Sequence, residues 1–165
     1  MSIKGSFIDL GSSLIGDVDA YKIKITDTAT FSATMTADLP VWDDAMMWLF
    51  DESGKLVFEN DDTDFANNLF LPSIFAGDLI GLGLQDNAFY YLAVGLYDIL
   101  PANYFTVDIN LQDGWSRATN IDLAFFDVGP YELNLTGAEV STVPAPSILV
   151  LSFIGLVAVV RSRRE

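Results

Sequence analysis

The chain has 165 residues, enough for one domain of ordinary size, and its 51% apolar and 13% aromatic content excludes a disordered polymer. Lys and Arg number 8 against 23 Asp and Glu, a net charge of −15 that repels phosphate backbones and excludes nucleic acid as a partner. The absence of cysteine and histidine excludes disulfides, thiolate zinc sites, iron–sulfur clusters and every His-dependent catalytic triad or base.

Short runs recur between turn signals from the first residue onward. Residues 1–10 read as a strand entering a turn and contain no apolar stretch of export-signal length. Tyr21–Ile25 alternates cleanly, as does the run from Phe31 to Thr36. Met46 to Phe50 is apolar throughout and predicts a buried strand. The turn Asp51-Glu52-Ser53-Gly54 follows, and Lys55 to Glu59 returns as the hairpin partner. Phe89 to Val94 is aromatic and branched enough for a central strand. Phe105 to Ile109, Ile121 to Phe126 and Tyr131 to Leu135 complete the predicted set. Nothing in this body carries a capped 3.6-residue pattern. The expectation is an all-β fold: a β-sandwich or jelly-roll-like domain over 1–137, a spacer over 138–146, and one C-terminal hydrophobic helix with a basic tail over 147–165.

Two acidic loops offer oxygen ligands. Asp17 and Asp19 lie two apart, as do Asp62 and Asp64, and Asn60 and Asp61 adjoin the second pair. Calcium takes such hard oxygens. Asp and Asn also close turns by bonding their own backbone, and neither loop has EF-hand spacing. Both readings stand at this stage. Trp115, in the polar segment from Gln112 to Arg117, is the candidate exposed contact residue for a ligand such as a glycan. No GxSxG, HExxH or phosphate-loop pattern occurs, so no enzyme is expected.

The C-terminus carries the sharpest pattern. Val143-Pro144-Ala145-Pro146 is followed by an uncharged run from Ser147 to Val160, and then by Arg161, Arg163 and Arg164. Without those three arginines and Glu165, the rest of the chain has 5 basic and 22 acidic residues, a net −17. The uncharged run predicts a short membrane span, and the basic cluster places the body on the outer side. This order of parts, with the pair Gly155-Leu156 inside the apolar run, resembles the PEP-CTERM sorting signal. Ala145 stands where that family most often has Glu. The resemblance covers the last 23 residues and implies recognition by an exosortase, a membrane protease found mostly in Gram-negative bacteria that make exopolysaccharide. Such a protein also needs an N-terminal export signal, which is expected upstream of Met1.

The body in turn resembles the bacterial pre-peptidase C-terminal (PPC) domain over roughly residues 6 to 137. Five motifs carry the likeness in order. They are the Gly16-Asp17-Val18-Asp19-Ala20-Tyr21 start, Leu49-Phe50-Asp51-Glu52-Ser53-Gly54, the Asn60-Asp61-Asp62 loop, the Tyr90 to Val94 strand, and the closing Gly129-Pro130-Tyr131-Glu132-Leu133. Leu111 to Asp127 looks like an insertion. Some relatives of this domain use calcium. Together the resemblances imply an exported structural protein of the cell surface or extracellular matrix, anchored in the inner membrane until processed. A glycan-binding or adhesive module, in contact with exopolysaccharide, is the alternative; so is an accessory domain of a secreted hydrolase whose catalytic part lies upstream.

Overall fold

The computed structural model describes residues 1–7, 18–37, 45–63, 71–96, 99–106, 108–117 and 129–141. Among them the strands follow in the order β1 (Ser2–Ser6), β2 (Val18–Ile25), β3 (Ser32–Ala37), β4 (Ala45–Asp51), β5 (Leu56–Asn60), β6 (Ser73–Phe75), β7 (Ala88–Leu96), β8 (Ile99–Pro101), β9 (Trp115–Arg117), β10 (Pro130–Thr136) and β11 (Ala138–Val140). They build a four-stranded sheet, β1-β10-β3-β6, and a five-stranded sheet, β11-β2-β7-β4-β5. Every pairing is antiparallel. The fold is all-β, as the alternating runs predict.

The core lies between the sheets. Ile23 and Ile25 of β2, Met47 and Leu49 of β4, and Leu92 and Val94 of β7 face Ala33, Met35, Ile74, Leu133 and Leu135 of the smaller sheet. Period-two alternation aims each set inward. β4 differs because Ala45 to Phe50 are all buried. Its second face, Met46, Trp48 and Phe50, forms another apolar cluster with Ala93 and Leu111. The β8–β9 ribbon and the 3-10 turn Leu111–Asp113 cover that face. A continuous apolar run is what a strand covered on both sides requires.

The two sheets are tied along both edges. On one side β5 meets β6, where the Asn60 amide donates to the Ser73 carbonyl at 2.6 Å. On the other side β10 passes straight into β11, changing sheets at Gly137. Gly137 has φ +64, and its carbonyl accepts from the amides of Thr26 and Asp27 at 2.8 and 3.1 Å. A Cβ there would lie 2.6 Å from the Asp27 carbonyl oxygen, so the corner has room only for glycine.

Two expectations change. Of the run Phe105 to Ile109, the described residues Phe105, Thr106, Asp108 and Ile109 lie in no strand: Tyr104 and Thr106 donate backbone bonds to Pro101 and Asn103 in a turn, and Phe105 is 90% exposed. The turn-forming Pro101 and Asn103 outweigh the short alternation that follows them. Residues 138–140, placed in the spacer, are β11 and belong to the sandwich. The segment from Ile121 to Phe126 and the C-terminal helix expected over 147–165 lie outside the described residues.

Gly137→Ala should lower the unfolding free energy by about 1–3 kcal/mol, because it adds both a strained φ and a backbone clash. Gly77→Ala, where a Cβ would meet nothing within 4 Å, is the control and should change little. Urea denaturation of the two variants checks this, and equal effects would contradict the corner argument.

Candidate functional site

The sorting residues Val143, Pro144, Ala145, Pro146, Gly155, Leu156, Arg161, Arg163 and Arg164 lie outside the described residues. Among the described residues no helix is long and apolar enough to cross a membrane.

The acidic loops separate in space. Asp19 sits in one register row with Val94, Met47 and Asn60 across the larger sheet. Three strand spacings therefore divide Asp19 from Asn60, roughly 14 Å, too far for one ion. Asp61 accepts from the Asp62 amide at 2.9 Å, which is turn chemistry. Burial, and then the Asp61 charge, push the Asp62 carboxyl above the usual aspartate range. Asp17 and Asp64 lie outside the described residues. Among those described, no group of three or more acidic side chains could hold a metal.

Asp19 has a different partner. The Tyr131 hydroxyl reaches from β10 across the sandwich and donates to Asp19 Oδ2 at 2.5 Å. The Tyr21 hydroxyl lies 2.6 Å from that of Tyr131. Since the Tyr131 proton goes to the carboxylate, Tyr21 is the donor in that second bond. Gly5, the cross-strand neighbour of Tyr131, leaves the room the phenol needs: a Cβ there would sit 2.3 Å from its Cζ. Phe7 packs on the same ring with centroids 4.8 Å apart. The first and last of the five body motifs thus meet between the sheets. Burial, and then the bonds to Asp19 and Tyr21, push the Tyr131 phenol far above its ordinary value, so it is no nucleophile or base near neutrality. The i, i+2 spacing of Asp19 and Tyr21 places both on one strand face, but no local pattern reveals a partner 112 residues away.

Trp115 is half-buried and does not stand free. Its ring lies 4.8 Å from Trp48 and 6.2 Å, edge-on, from Phe50. It belongs to the cover over β4, so its polar neighbours in sequence mark the rim of that cover. Tyr104 donates to Glu59 Oε1 at 2.7 Å. At the sandwich end near the β2–β3 turn, a groove of about 630 Å³ is lined by Thr28, Ala76, Leu79, Ile80, Gly81 and Leu84 among others, with no ionisable side chain among its described lining residues.

No protein-family model matches the chain, and no curated protein matches it. The sorting-signal and PPC resemblances therefore rest on the motifs themselves.

Tyr131→Phe should cost about 1–3 kcal/mol in urea denaturation, because it takes from Asp19 the hydroxyl that bonds it across the sandwich. The raised phenol also has a pH signature. Its contribution is fully present below the unfolded tyrosine value, about 10, and is lost as pH rises above it. The parent should thus lose stability more steeply above pH ~10 than Tyr131→Phe.

Asp61→Asn keeps an acceptor for the Asp62 amide while removing the repulsive charge. It should raise the melting temperature in chelator. Added calcium should leave that difference unchanged; calcium that stabilised the parent alone would assign an ion to this loop.

Proposed function

We propose that the chain is a non-catalytic structural module of the bacterial cell surface or extracellular matrix, delivered by its C-terminal segment. The observation that carries this reading is the order of that segment: Val143 to Pro146, an uncharged run to Val160, then Arg161, Arg163 and Arg164. On this reading the uncharged run inserts in the inner membrane with the arginines on the cytoplasmic side. An exosortase-type protease then removes it, releasing the sandwich to the surface of a Gram-negative cell. The character of the body is compatible with this. The polar side chains that the sandwich draws inward, Asp19, Tyr131 and Asn60, bond across it. The charge of the body suits a soluble outward-facing module.

The test is the C-terminal mass of the protein, expressed with an export signal in hosts with and without an exosortase. The expected result is a chain ending near Val143 to Pro146 only in the exosortase host. An intact tail in both hosts would overturn processing and leave a simple membrane anchor.

A further inference from the structure

Three large apolar side chains stand exposed on one loop, between β6 and β7: Phe75 at 44%, Ile80 at 83% and Leu82 at 45%. Ile80 itself lines the groove of about 630 Å³, and Phe75 and Leu82 adjoin lining residues along the chain. Leu79 and Leu84 line it from the same loop, and Thr28 and Ala29 from the β2–β3 turn. A Cβ added at Gly77, Gly81 or Gly83 would meet nothing within 4 Å, so the backbone there lies open to an approaching chain. A concave apolar site with exposed apolar residues around it marks a place of interaction.

The rim carries charge of one sign. Asp78 falls between the lining residues Gly77 and Leu79. Asp27 accepts from the Ala29 amide at 3.0 Å, and Asp86 from the Thr28 amide at 2.7 Å. All three carboxylates are exposed. The bonds from Thr28 hold the Asp86 carboxyl below the usual aspartate range. The two segments that build the groove, residues 26–37 and 71–90, contain no Lys or Arg.

This chemistry selects among occupants. Thr28 is the one polar side chain among the described lining residues, and its hydroxyl already bonds to Asp86, so the hydroxyls of a saccharide find no side-chain partner there. Anionic groups, lipid phosphates included, are repelled by the rim. A second copy set groove to groove would bring two acidic rims together. An apolar segment carrying cations meets both the lining and the rim.

We propose that this groove docks a segment of another protein in which apolar side chains are flanked by Lys or Arg, the apolar ones entering beside Leu79, Ile80 and Leu84 and the cations meeting Asp27, Asp78 and Asp86. The groove stands whether or not the C-terminal segment is processed, so the proposal goes beyond the delivery role and fails separately from it.

The experiment follows the methyl resonances of Ile80 and Leu82 by NMR, with the full-length protein held in phosphatidylcholine nanodiscs. The probes are three capped pentapeptides: Lys-Leu-Val-Leu-Arg, its acidic counterpart Glu-Leu-Val-Leu-Glu, and the polar Lys-Ser-Thr-Ser-Arg. The expected result is a saturable shift of both residues with the first peptide and binding about tenfold weaker or less with the other two. Ile80→Asn, at an exposed position that leaves the core intact, should weaken the first peptide about tenfold, read at Leu82. Asp78→Asn combined with Asp86→Asn keeps acceptors for the Phe75 and Thr28 amides. That pair should weaken the first peptide about threefold and flatten the salt dependence of its binding. No saturable shift, equal affinity for either control peptide, or unchanged affinity in either variant would each overturn the proposal. So would a shift without peptide that follows protein concentration, which would give the groove to a second copy, or one that follows added phosphatidylcholine vesicles, which would give it to lipid.

Discussion

The two sheets of this protein are held in register by a hydroxyl that crosses between them. Tyr131 stands on the smaller sheet, and its proton is bound by Asp19 on the larger one, with Tyr21 closing the chain. A sandwich packed by apolar contact alone can slide, because dispersion is nondirectional. A short charge-assisted bond fixes one point of the interface. The Asn60 bond to β6 fixes the opposite edge, and the Gly137 corner joins the sheets covalently on the Tyr131 side. Gly5 belongs to the same device, since only a residue without Cβ lets the phenol pass.

A third layer gives the larger sheet its second covered face. β4 is buried on both sides because Leu100, Ile109, Leu111 and Trp115 pack against Met46, Trp48 and Phe50. Burying Trp48 there takes its indole N–H out of water, and Oε2 of Glu59 is out of water beside it on the paired strand. The cover thus stabilises the sheet through aromatic area and also encloses polar atoms it does not itself satisfy.

Much of the sandwich was legible in the sequence because its central strands alternate. Tyr21–Ile25 and the run from Phe31 to Thr36 show the inward set directly, and the unbroken Met46 to Phe50 run reads as a buried strand. The three-residue strands β6, β8 and β9 were not legible, since so short a segment has no period to read. β11 was hidden because Gly137 looked like the end of the domain, whereas its positive φ turns the chain into the other sheet. The acidic residues were visible as a group, but their roles were not. Whether Asp19 meets a cation or a tyrosine depends on a strand 112 positions later. Trp115 misled for a related reason: polar neighbours in sequence say nothing of the apolar face it covers.

In the proposed function the acidic sandwich stands outside the cell and the C-terminal segment is its means of arrival. The most direct measurement is surface labelling of intact cells expressing the protein with its export signal, with and without residues 143–165. The account predicts a labelled body on cells carrying the full chain and loss of that cell-bound label when the segment is removed. Equal surface labelling without it, or a body accessible only after lysis in both cases, would contradict the assignment.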